Sequence, residues 1–425
     1  MRPPSRPVAS TSTLVLASSG LTASPVPAGA SPSVPGPPGP HEVRFATFNA
    51  ALERPERGAL VEELSAPGSE QARNVAEIIQ RVRPDVLLVN EFDHDEEGAG
   101  PRLFQDHYLS VGHNGAEAVE YPYVYTAPVN TGVASGADLN GDGEAVTEPG
   151  APGYAADAFG YGLFPGQYGM VVYSAYPIVT ERVRTFRTFR WADMPGALLP
   201  TLPGTGEPYY SPEALDVLRL SSKSHWDLPV DTGGGCPVHL LASHPTPPAF
   251  DGPEGRNVAR NHDEIRFWAD YVTPGAGSYV YDDRGRRGGL PAGAPFVIAG
   301  DLNADPHDGD AHPGAVTRLL EHPGITDVRP SSQGGRGAAR RQGGANDGHA
   351  GDPGLDSADF ADEPGPGNLR VDYVLPSRAL PARSSGVFWP TVDDPLFRLT
   401  GDRPFPSSDH RLVWVDVVRP GAAGP

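Results

Sequence analysis

Hydrophobic and polar residues follow two different periods along the chain from His41 onward, and the two periods predict two kinds of element. Short apolar or alternating runs that are bounded by turn-forming residues predict β-strands. These runs are 43–48, 85–89, 169–173, 239–243, 295–299, 370–375 and 412–418. Apolar residues at helical spacing predict one helix over 70–83, which Pro84 ends, and another over 257–272. Several strands are apolar on both faces, as two sheets packed face to face require.

Three long stretches with little periodicity interrupt this pattern. We interpret them as loops inserted near 127–166, 190–235 and 331–368 of a single domain that spans 41–420. Loops longer than about 12–15 residues are usually functional or disordered. The third stretch is rich in Gly, Asp and Pro, so we expect it to be mobile.

Residues 1–40 have the composition of a signal peptide followed by a Pro/Ser-rich leader. Arg2 and Arg6 give a basic start, residues 14–16 are weakly apolar, and the Ala-Gly-Ala at 28–30 resembles a signal-peptidase site. A disordered tail of an internal protein would have a similar composition. We favour export and expect a secreted or extracytoplasmic protein.

Composition and charge narrow the function classes. The chain of 425 residues carries 33 Lys and Arg against 53 Asp and Glu, a net charge of −20. A non-specific nucleic-acid binder needs a basic face, so no stable nucleic-acid complex is expected. The one cysteine, Cys236, cannot form an internal disulfide. No run approaches the ~18 apolar residues of a membrane-spanning helix, so no transmembrane segment is expected.

Most of the predicted strands end on a polar residue that can bind a metal ion or move a proton. These residues are Asn49, Glu91, His244, Asp301 with Asn303, Asp372, and Asp409 with His410. Residues at the ends of neighbouring strands converge at one edge of a sheet, where the scaffold holds them rigidly. One such residue would be uninformative, because Asp and Asn are common where a strand turns. Five or six in succession indicate a functional site.

The same segments carry a resemblance to a known family. The motifs are TFNA at 47–50, NEFD at 90–93, ASHP at 242–245, GDLNADP at 300–306, VDYVL at 371–375 and SSDH at 407–410. Together, and in this order, they resemble the endonuclease/exonuclease/phosphatase superfamily, which includes DNase I, exonuclease III and sphingomyelinase. The resemblance implies a DNase I-like α/β fold, a four-layer α/β/β/α sandwich of two mixed β-sheets flanked by helices. It also implies metal-dependent hydrolysis of a phosphate ester, with Mg²⁺ or Mn²⁺ as the cofactor.

Metal ligands follow from the resemblance and from the chemistry of the ion. Mg²⁺ prefers hard oxygen ligands and takes one or two carboxylates from the protein. Glu91 is therefore the strongest candidate ligand, with Asn49 and Asp409 beside it. The ion would polarise a phosphoryl oxygen and neutralise charge on the leaving group.

Catalytic roles follow in the same way. Asp301 and Asn303 would orient the attacking water and hold the phosphate, and Asp301 is the candidate to take the proton. Asp372 would fix the tautomer of His410 and favour its protonated form beside an anionic phosphate. His244 lies where the superfamily places a His or Tyr that touches the scissile phosphate. Each histidine taken alone is as readily explained as a satisfied structural residue.

Two positions depart from the family pattern. Asn90 stands where many members have Gln, and Pro247 stands where the exonuclease III branch has an Asn that helps to hold phosphate. Neither change removes a metal ligand. Both changes, together with the acidic charge, argue against a standard apurinic-site nuclease.

A second ion site is suggested by the spacing of four polar residues. Asp138, Asn140, Asp142 and Glu144 match the first half of an EF-hand loop, but the twelfth position, which needs a carboxylate, is Pro149. The alternatives are a partial Ca²⁺ site in an inserted loop and a polar turn that binds no ion. Export favours the first, since extracellular calcium is abundant.

Four further residues are candidates for substrate binding. His225 and Trp226 belong to a polar cluster around Trp, which either lines a pocket or anchors its loop. Arg260 and His262 lie near the start of a predicted helix, where they can meet a phosphate or form a solvated face.

Two classes of function remain open from the sequence. The first is a secreted metal-dependent phosphoesterase whose phosphate-ester substrate is unidentified. Within that class, an extracellular nuclease and a sphingomyelinase-like phospholipid phosphodiesterase are alternatives. A non-catalytic calcium-dependent binding module is the weakest, because it predicts the loss of an essential ligand and none is missing. The sequence leaves the oligomeric state open.

Overall fold

Two mixed β-sheets lie face to face at the centre of the molecule, and helices cover the outer face of each sheet. The structure is a computed structural model that describes residues 34–421. Most of the predicted leader, residues 1–33, lies outside the described residues. The layer order confirms the predicted α/β/β/α sandwich.

The strands are β1 (Glu42–Leu52), β2 (Val86–Phe92), β3 (Tyr123–Tyr125), β4 (Met170–Ser174), β5 (Arg184–Thr185), β6 (His225–Val230), β7 (Val238–Ser243), β8 (Phe296–Asp301), β9 (Ala358–Asp359), β10 (Asn368–Leu369), β11 (Asp372–Pro376), β12 (Ala382–Val387) and β13 (Val413–Val418). The first sheet has the order β12-β13-β1-β2-β4-β3, the second has the order β11-β8-β7-β6-β5, and β9 pairs with β10. Each sheet contains one parallel pair, β1 with β2 and β7 with β8, among antiparallel neighbours.

The helices are α1 (Ala59–Leu64), α2 (Glu70–Val82), α3 (Ala99–Phe104), α4 (Tyr154–Asp157), α5 (Pro212–Val217), α6 (Arg256–Val272), α7 (Thr317–Leu320), α8 (Gln333–Gln342) and α9 (Phe397–Thr400). Helix α2 begins where the Ser69 side chain accepts a hydrogen bond from the Ala72 amide. It ends at Arg83, which is left-handed, just before Pro84. Among residues 34–421, no helix is both long and apolar enough to cross a membrane.

Alternating side chains let each sheet face two cores. In β1, Val43 and Phe45 pack in the core between the sheets, whereas Ala46 and Phe48 pack in the core that α2 covers. In β8, Ile298 packs in the third core, which α6 covers. Full burial of each large apolar side chain contributes about 1.5–3 kcal/mol. The four layers therefore follow from the period of the strands.

A buried ion pair ties the first strand to the last. Arg44 Nε and Nη2 donate to the two carboxylate oxygens of Asp416 at 2.7 and 2.8 Å. The Arg44 guanidinium also donates to the Val82 carbonyl at 2.6 Å and lies 4.3 Å from the ring centroid of Trp414. The pair fixes β1 against β13 and the end of α2.

All three predicted loops contain regular structure, with α4 in 127–166, β6 in 190–235 and α8 in 331–368. The stretch 190–235 contains β6, which is buried along its whole length. The stretch 331–368 contains α8, whose Gly334 packs so closely that a Cβ would lie 2.0 Å from the carbonyl oxygen of Trp389. This contact explains the glycine, and it is the packing of a core helix rather than of a free loop.

Candidate active site

The site forms at one edge of the sandwich, where β1 and β2 of the first sheet meet β8 and β11 of the second. Within the sheets, Asn49 pairs with Asn90, and Asp301 pairs with Asp372. Gly300 lets β8 approach β7, because a Cβ there would lie 1.9 Å from the carbonyl oxygen of Ser243. The glycine of the GDLN motif is therefore needed for the position of Asp301.

Asp301 is the centre of the site. Asn49 Nδ2 donates to Asp301 Oδ2 at 3.0 Å, and His244 Nε2 lies 3.3 Å from the same oxygen. The backbone amide of Asn303 donates to Oδ1 at 2.9 Å. The Asp301 amide in turn lies 3.3 Å from the side-chain oxygen of Asn90, so both sheets hold this residue.

Asp301 is held in its ionised form. Burial alone would raise its pKa, but the positive His410 ring, the His244 ring and the amide of Asn49 outweigh burial and place the pKa of Asp301 well below its usual range. A carboxylate that stays ionised at every physiological pH is a hydrogen-bond acceptor for water or for a metal-bound ligand.

His410 and Asp372 form a second pair beside Asp301. His410 Nδ1 donates to Asp372 Oδ2 at 2.9 Å, and His410 Nε2 lies 3.8 Å from Asp301 Oδ2. Burial would lower the pKa of His410, but the two carboxylates raise it well above its usual value. The ring is therefore a protonated donor whose orientation Asp372 fixes.

His244, in contrast to His410, is held in its neutral form. Burial lowers its pKa, and the ammonium group of Lys223 lowers it further. Its second nitrogen, Nδ1, is buried without a hydrogen-bond partner in residues 34–421. His244 is therefore neutral and His410 protonated, although both rings lie beside the same carboxylate, that of Asp301.

Ligand atoms of Glu91, His244 and Asp301 lie within 4.8 Å of one another, and those of Asp301, Asp372 and His410 form a second such group. Burial raises the pKa of Glu91. A divalent cation would offset this cost, and carboxylate oxygens are the ligands that Mg²⁺ prefers. The residues present therefore fit a divalent metal ion.

The other two predicted metal ligands lie in the same region. The side-chain amide of Asn49 donates to Asp301 Oδ2. Asp409 lines the same cavity as Glu91, although its carboxylate belongs to neither of the two close groups found among the described residues. Asn303 also lines this cavity, while its Nδ2 donates to the Pro245 carbonyl at 3.1 Å.

Lys223 is a part of the site that the sequence did not predict. Its side chain is only 7% exposed. Burial lowers the pKa of Lys223, and the carboxylates of Glu264, Glu91 and Asp301 oppose this shift. No hydrogen bond or ion pair reaches its ammonium group from the part of the chain that the structure describes. A buried positive charge without a fixed partner suits the binding of an anion.

The family of the chain follows from a comparison with known sequences. The profile of the Endonuclease/Exonuclease/phosphatase family matches residues 46–410. The chain belongs to this family. The resemblance inferred from the motifs is confirmed, and with it the class of enzyme, a metal-dependent phosphoric ester hydrolase. None of the curated proteins compared with the chain matches it.

Solved structures of the endonuclease/exonuclease/phosphatase family include several that are similar to this chain. A family protein from Beutenbergia cavernae DSM 12333 is 18% identical with a TM-score of 0.49, over 90% of this chain and 72% of that one. The human Nocturnin catalytic domain with bound sulfate is 14% identical with a TM-score of 0.43, and the match covers 89% of this chain and 95% of that one. Sphingomyelinase C from Streptomyces griseocarneus is 15% identical with a TM-score of 0.43, and the match covers 88% of this chain and 99% of that one. Such distant likenesses carry no argument about substrate.

His225 and Trp226 lie outside the candidate active site around Asp301. His225 Nε2 donates to the Glu264 carbonyl at 2.8 Å, and its Nδ1 lies 2.6 Å from Ser221 Oγ. Trp226 is fully buried between the sheets, with its ring 5.2 Å from that of Tyr125. Both are buried residues of β6, and neither lines the cavity at Asp301.

Arg260 and His262 are buried as well. They neither contact the cavity where a phosphate would bind nor form a solvated face. Arg260 donates to the carbonyls of Leu220 and Phe159 at 2.8 and 2.6 Å. His262 Nδ1 lies 3.0 Å from Asp263 Oδ1. Both side chains support the start of α6, and neither lines the cavity.

The predicted calcium loop forms a polar turn. Asp138 accepts hydrogen bonds from the amides of Gly141 and Gly143 at 2.7 and 2.9 Å. Asp142 accepts from the Glu144 amide at 3.0 Å and from Asn140 Nδ2 at 2.9 Å. These carboxylates stabilise their own backbone, and calcium binding at this loop stays a prediction.

Proposed function

We propose that this protein is a secreted Mg²⁺- or Mn²⁺-dependent phosphoesterase that hydrolyses a phosphodiester or a phosphomonoester by attack of water. The observation that carries the proposal is the arrangement around Asp301, an ionised carboxylate with a neutral histidine at 3.3 Å and a protonated one at 3.8 Å. A base, a proton donor and a metal-binding carboxylate within one small volume is the combination that hydrolysis of a phosphate ester needs.

The metal would be held by Glu91 and Asp409, with Asn49 beside them. Bound there, Mg²⁺ or Mn²⁺ would polarise a phosphoryl oxygen and offset the charge on the leaving group. Asp301 accepts the proton of the attacking water, and Asn49 and His244 keep its carboxylate in place. This division of roles uses each side chain in the charge state that its surroundings favour.

Phosphate binding falls to His410 and Lys223. The Nε2–H of His410 donates to a phosphoryl oxygen, and the protonated ring supplies the proton that the leaving group takes as the bond to phosphorus breaks. The ammonium of Lys223, which has no ion-pair partner among residues 34–421, gains one in the bound phosphate. Asp372 acts through His410 by fixing its orientation.

The class of substrate is constrained by charge. The cavity at the site is lined by Glu91, Asp301, Asp305, Asp308, Asp310 and Asp409, with Arg403 and His410 as its positive groups. An acidic cavity repels a polyanion, so a substrate with one phosphate group fits better than a long nucleic acid.

Hydrolysis of bis(4-nitrophenyl) phosphate by the purified protein tests the proposal. We expect activity with Mg²⁺ or Mn²⁺, loss with EDTA, and recovery with excess metal. His410→Ala should reduce kcat/KM at least about 100-fold, whereas His41→Ala, at an exposed histidine of β1's leading turn, is the matched control. Activity that is indifferent to chelator and to His410→Ala would contradict the proposal.

Export, the calcium loop and the identity of the substrate each need a separate experiment. N-terminal sequencing of protein collected from the culture medium tests export, and a mature start within 28–40 is expected. Thermal melts with and without Ca²⁺ test the calcium loop, where Asp142→Ala should abolish any stabilisation. A panel of supercoiled DNA, RNA, sphingomyelin, nucleotides and inositol phosphates under one metal condition then identifies the substrate.

A further inference from the structure

Phe250 is an exposed aromatic residue at the rim of the active-site cavity. Its side chain is 90% exposed, and its φ is +60°. Bulky residues rarely adopt a positive φ, and an exposed ring gives up the stabilisation of burial. Strained residues of this kind cluster at sites that bind ligands, so the conformation calls for a functional explanation.

The ring is presented by a fixed loop. On one side of Phe250, the Ala249 carbonyl accepts a hydrogen bond from Asn257 Nδ2 at 2.8 Å. On the other side, Asp251 accepts from the amides of Asn257 and Val258 at 2.8 and 2.9 Å. The residues next to Phe250 are therefore held by the start of α6, and the ring is displayed rather than left on a free chain.

Apolar residues from two segments line the cavity together with the acidic groups. Phe250 comes with Pro247 and Pro248 from the loop after β7, and Phe360 with Leu369 from the β9–β10 segment. The Phe360 ring lies edge-on to His410, with ring centroids 5.4 Å apart. The cavity has a volume of about 400 Å³, which suits one small organic group. An apolar surface thus adjoins the reaction centre directly.

We propose that this apolar surface binds an aromatic organic group of the phosphate ester, with Phe250 as the residue that selects it. The inference rests on the proposed function and narrows its substrate to small esters with one phosphate and an aryl-type substituent. Aromatic rings stack favourably on Phe beyond the area that they bury. The acidic residues of the cavity disfavour additional phosphates, and its size disfavours a polymer.

Binding of two phosphonates tests this inference without turnover. Phenylphosphonate and methylphosphonate carry the same anionic group and cannot be hydrolysed, so their Kd values, measured by calorimetry with Mg²⁺ present, isolate the organic group. We expect phenylphosphonate to bind about three- to tenfold more tightly to the wild-type protein. Phe250→Ala should remove most of this preference, and Phe250→Tyr should retain it. Val392→Ala, at an exposed apolar residue outside the cavity, is the matched control.

The outcomes separate this inference from the proposed function. Equal affinities in the wild-type protein, or a preference that Phe250→Ala leaves unchanged, overturn the aromatic subsite alone. Loss of binding to phosphatidylcholine vesicles in Phe250→Ala with an unchanged phosphonate preference also overturns it, because the ring then contacts a bilayer. Failure of both phosphonates to bind, together with no hydrolysis of any ester, overturns the proposed function as well.

Discussion

The charge of Asp372 is predicted to set the protonation state of His410, and Asp372→Asn tests this directly. The side chains of Asp and Asn have the same shape, and an amide oxygen can still accept the hydrogen bond that His410 Nδ1 donates at 2.9 Å. The substitution therefore removes a charge while keeping the orientation of the ring. Burial raises the pKa of Asp372 to about 6, so the charge is present above that pH.

The size of the effect follows from the distances. Two unit charges about 4 Å apart interact by about 4 kcal/mol at an effective dielectric constant of 20. Loss of that interaction lowers the pKa of His410, because the Asp372 carboxylate is the main group that holds it above its usual value. Asp301, with Oδ2 at 3.8 Å from Nε2, retains part of the stabilisation. Because less of His410 is then protonated, kcat/KM should fall by about 10²–10³-fold.

A double-mutant cycle on bis(4-nitrophenyl) phosphate measures the coupling. If Asp372 acts only through His410, then adding Asp372→Asn to His410→Ala should cause little further loss. Circular dichroism and a melting curve check that each variant folds. Losses that add independently, or a rate for Asp372→Asn equal to that of the wild type, would refute the coupling.

Four other predictions follow from buried charges and rings. Lys223→Met should lower kcat/KM about tenfold or more without lowering the melting temperature, because it removes a buried charge that no described residue pairs with. Glu91→Gln should raise the Mg²⁺ concentration for half-maximal activity about tenfold or more, as a metal titration would show. Arg44→Met should cost about 3–5 kcal/mol in urea unfolding, since it leaves Asp416 buried without its partner. Burial lowers the pKa of His225 to about 4, below its unfolded value of about 6.5, so its stabilisation is complete above pH 6.5 and is lost as the pH falls towards 4. His225→Gln should flatten that part of the pH–stability curve.

The strands and the polar residues at their ends could be predicted because they depend on local pattern. The apolar runs that end on Glu91 and His244 can be recognised without knowing any distant contact. Residues at the ends of neighbouring strands then meet at one edge of a sheet. Strand bounds differ by a few residues, and β1 continues past Asn49 to Leu52. The local sequence does not indicate that the Asn49 amide donates a hydrogen bond to Asp301, because the two residues belong to different sheets.

Strand β6 and Lys223 show what a single sequence hides. The sequence His-Trp-Asp-Leu-Pro-Val does alternate, but its polar positions are buried rather than solvated. Asp227 is satisfied by His239 at 2.5 Å and by the Tyr271 hydroxyl at 2.6 Å. The period-two pattern is present in the sequence, but the polar residues within it do not indicate a strand that is buried on both faces. Lys223, two residues before this strand, acquires its role only from the carboxylates that other segments bring near it.

The reaction centre is also a junction between the two sheets. Asn49 from β1 and Asn90 from β2 both bond to Asp301 of β8, while His410, just before β13, bonds to Asp372 of β11. Each of these contacts joins one sheet to the other. Since two packed sheets have few discrete relative positions, the same core packing that stabilises the sandwich also fixes the distances at Asp301. Changes to the core between the sheets should therefore affect activity before they affect folding.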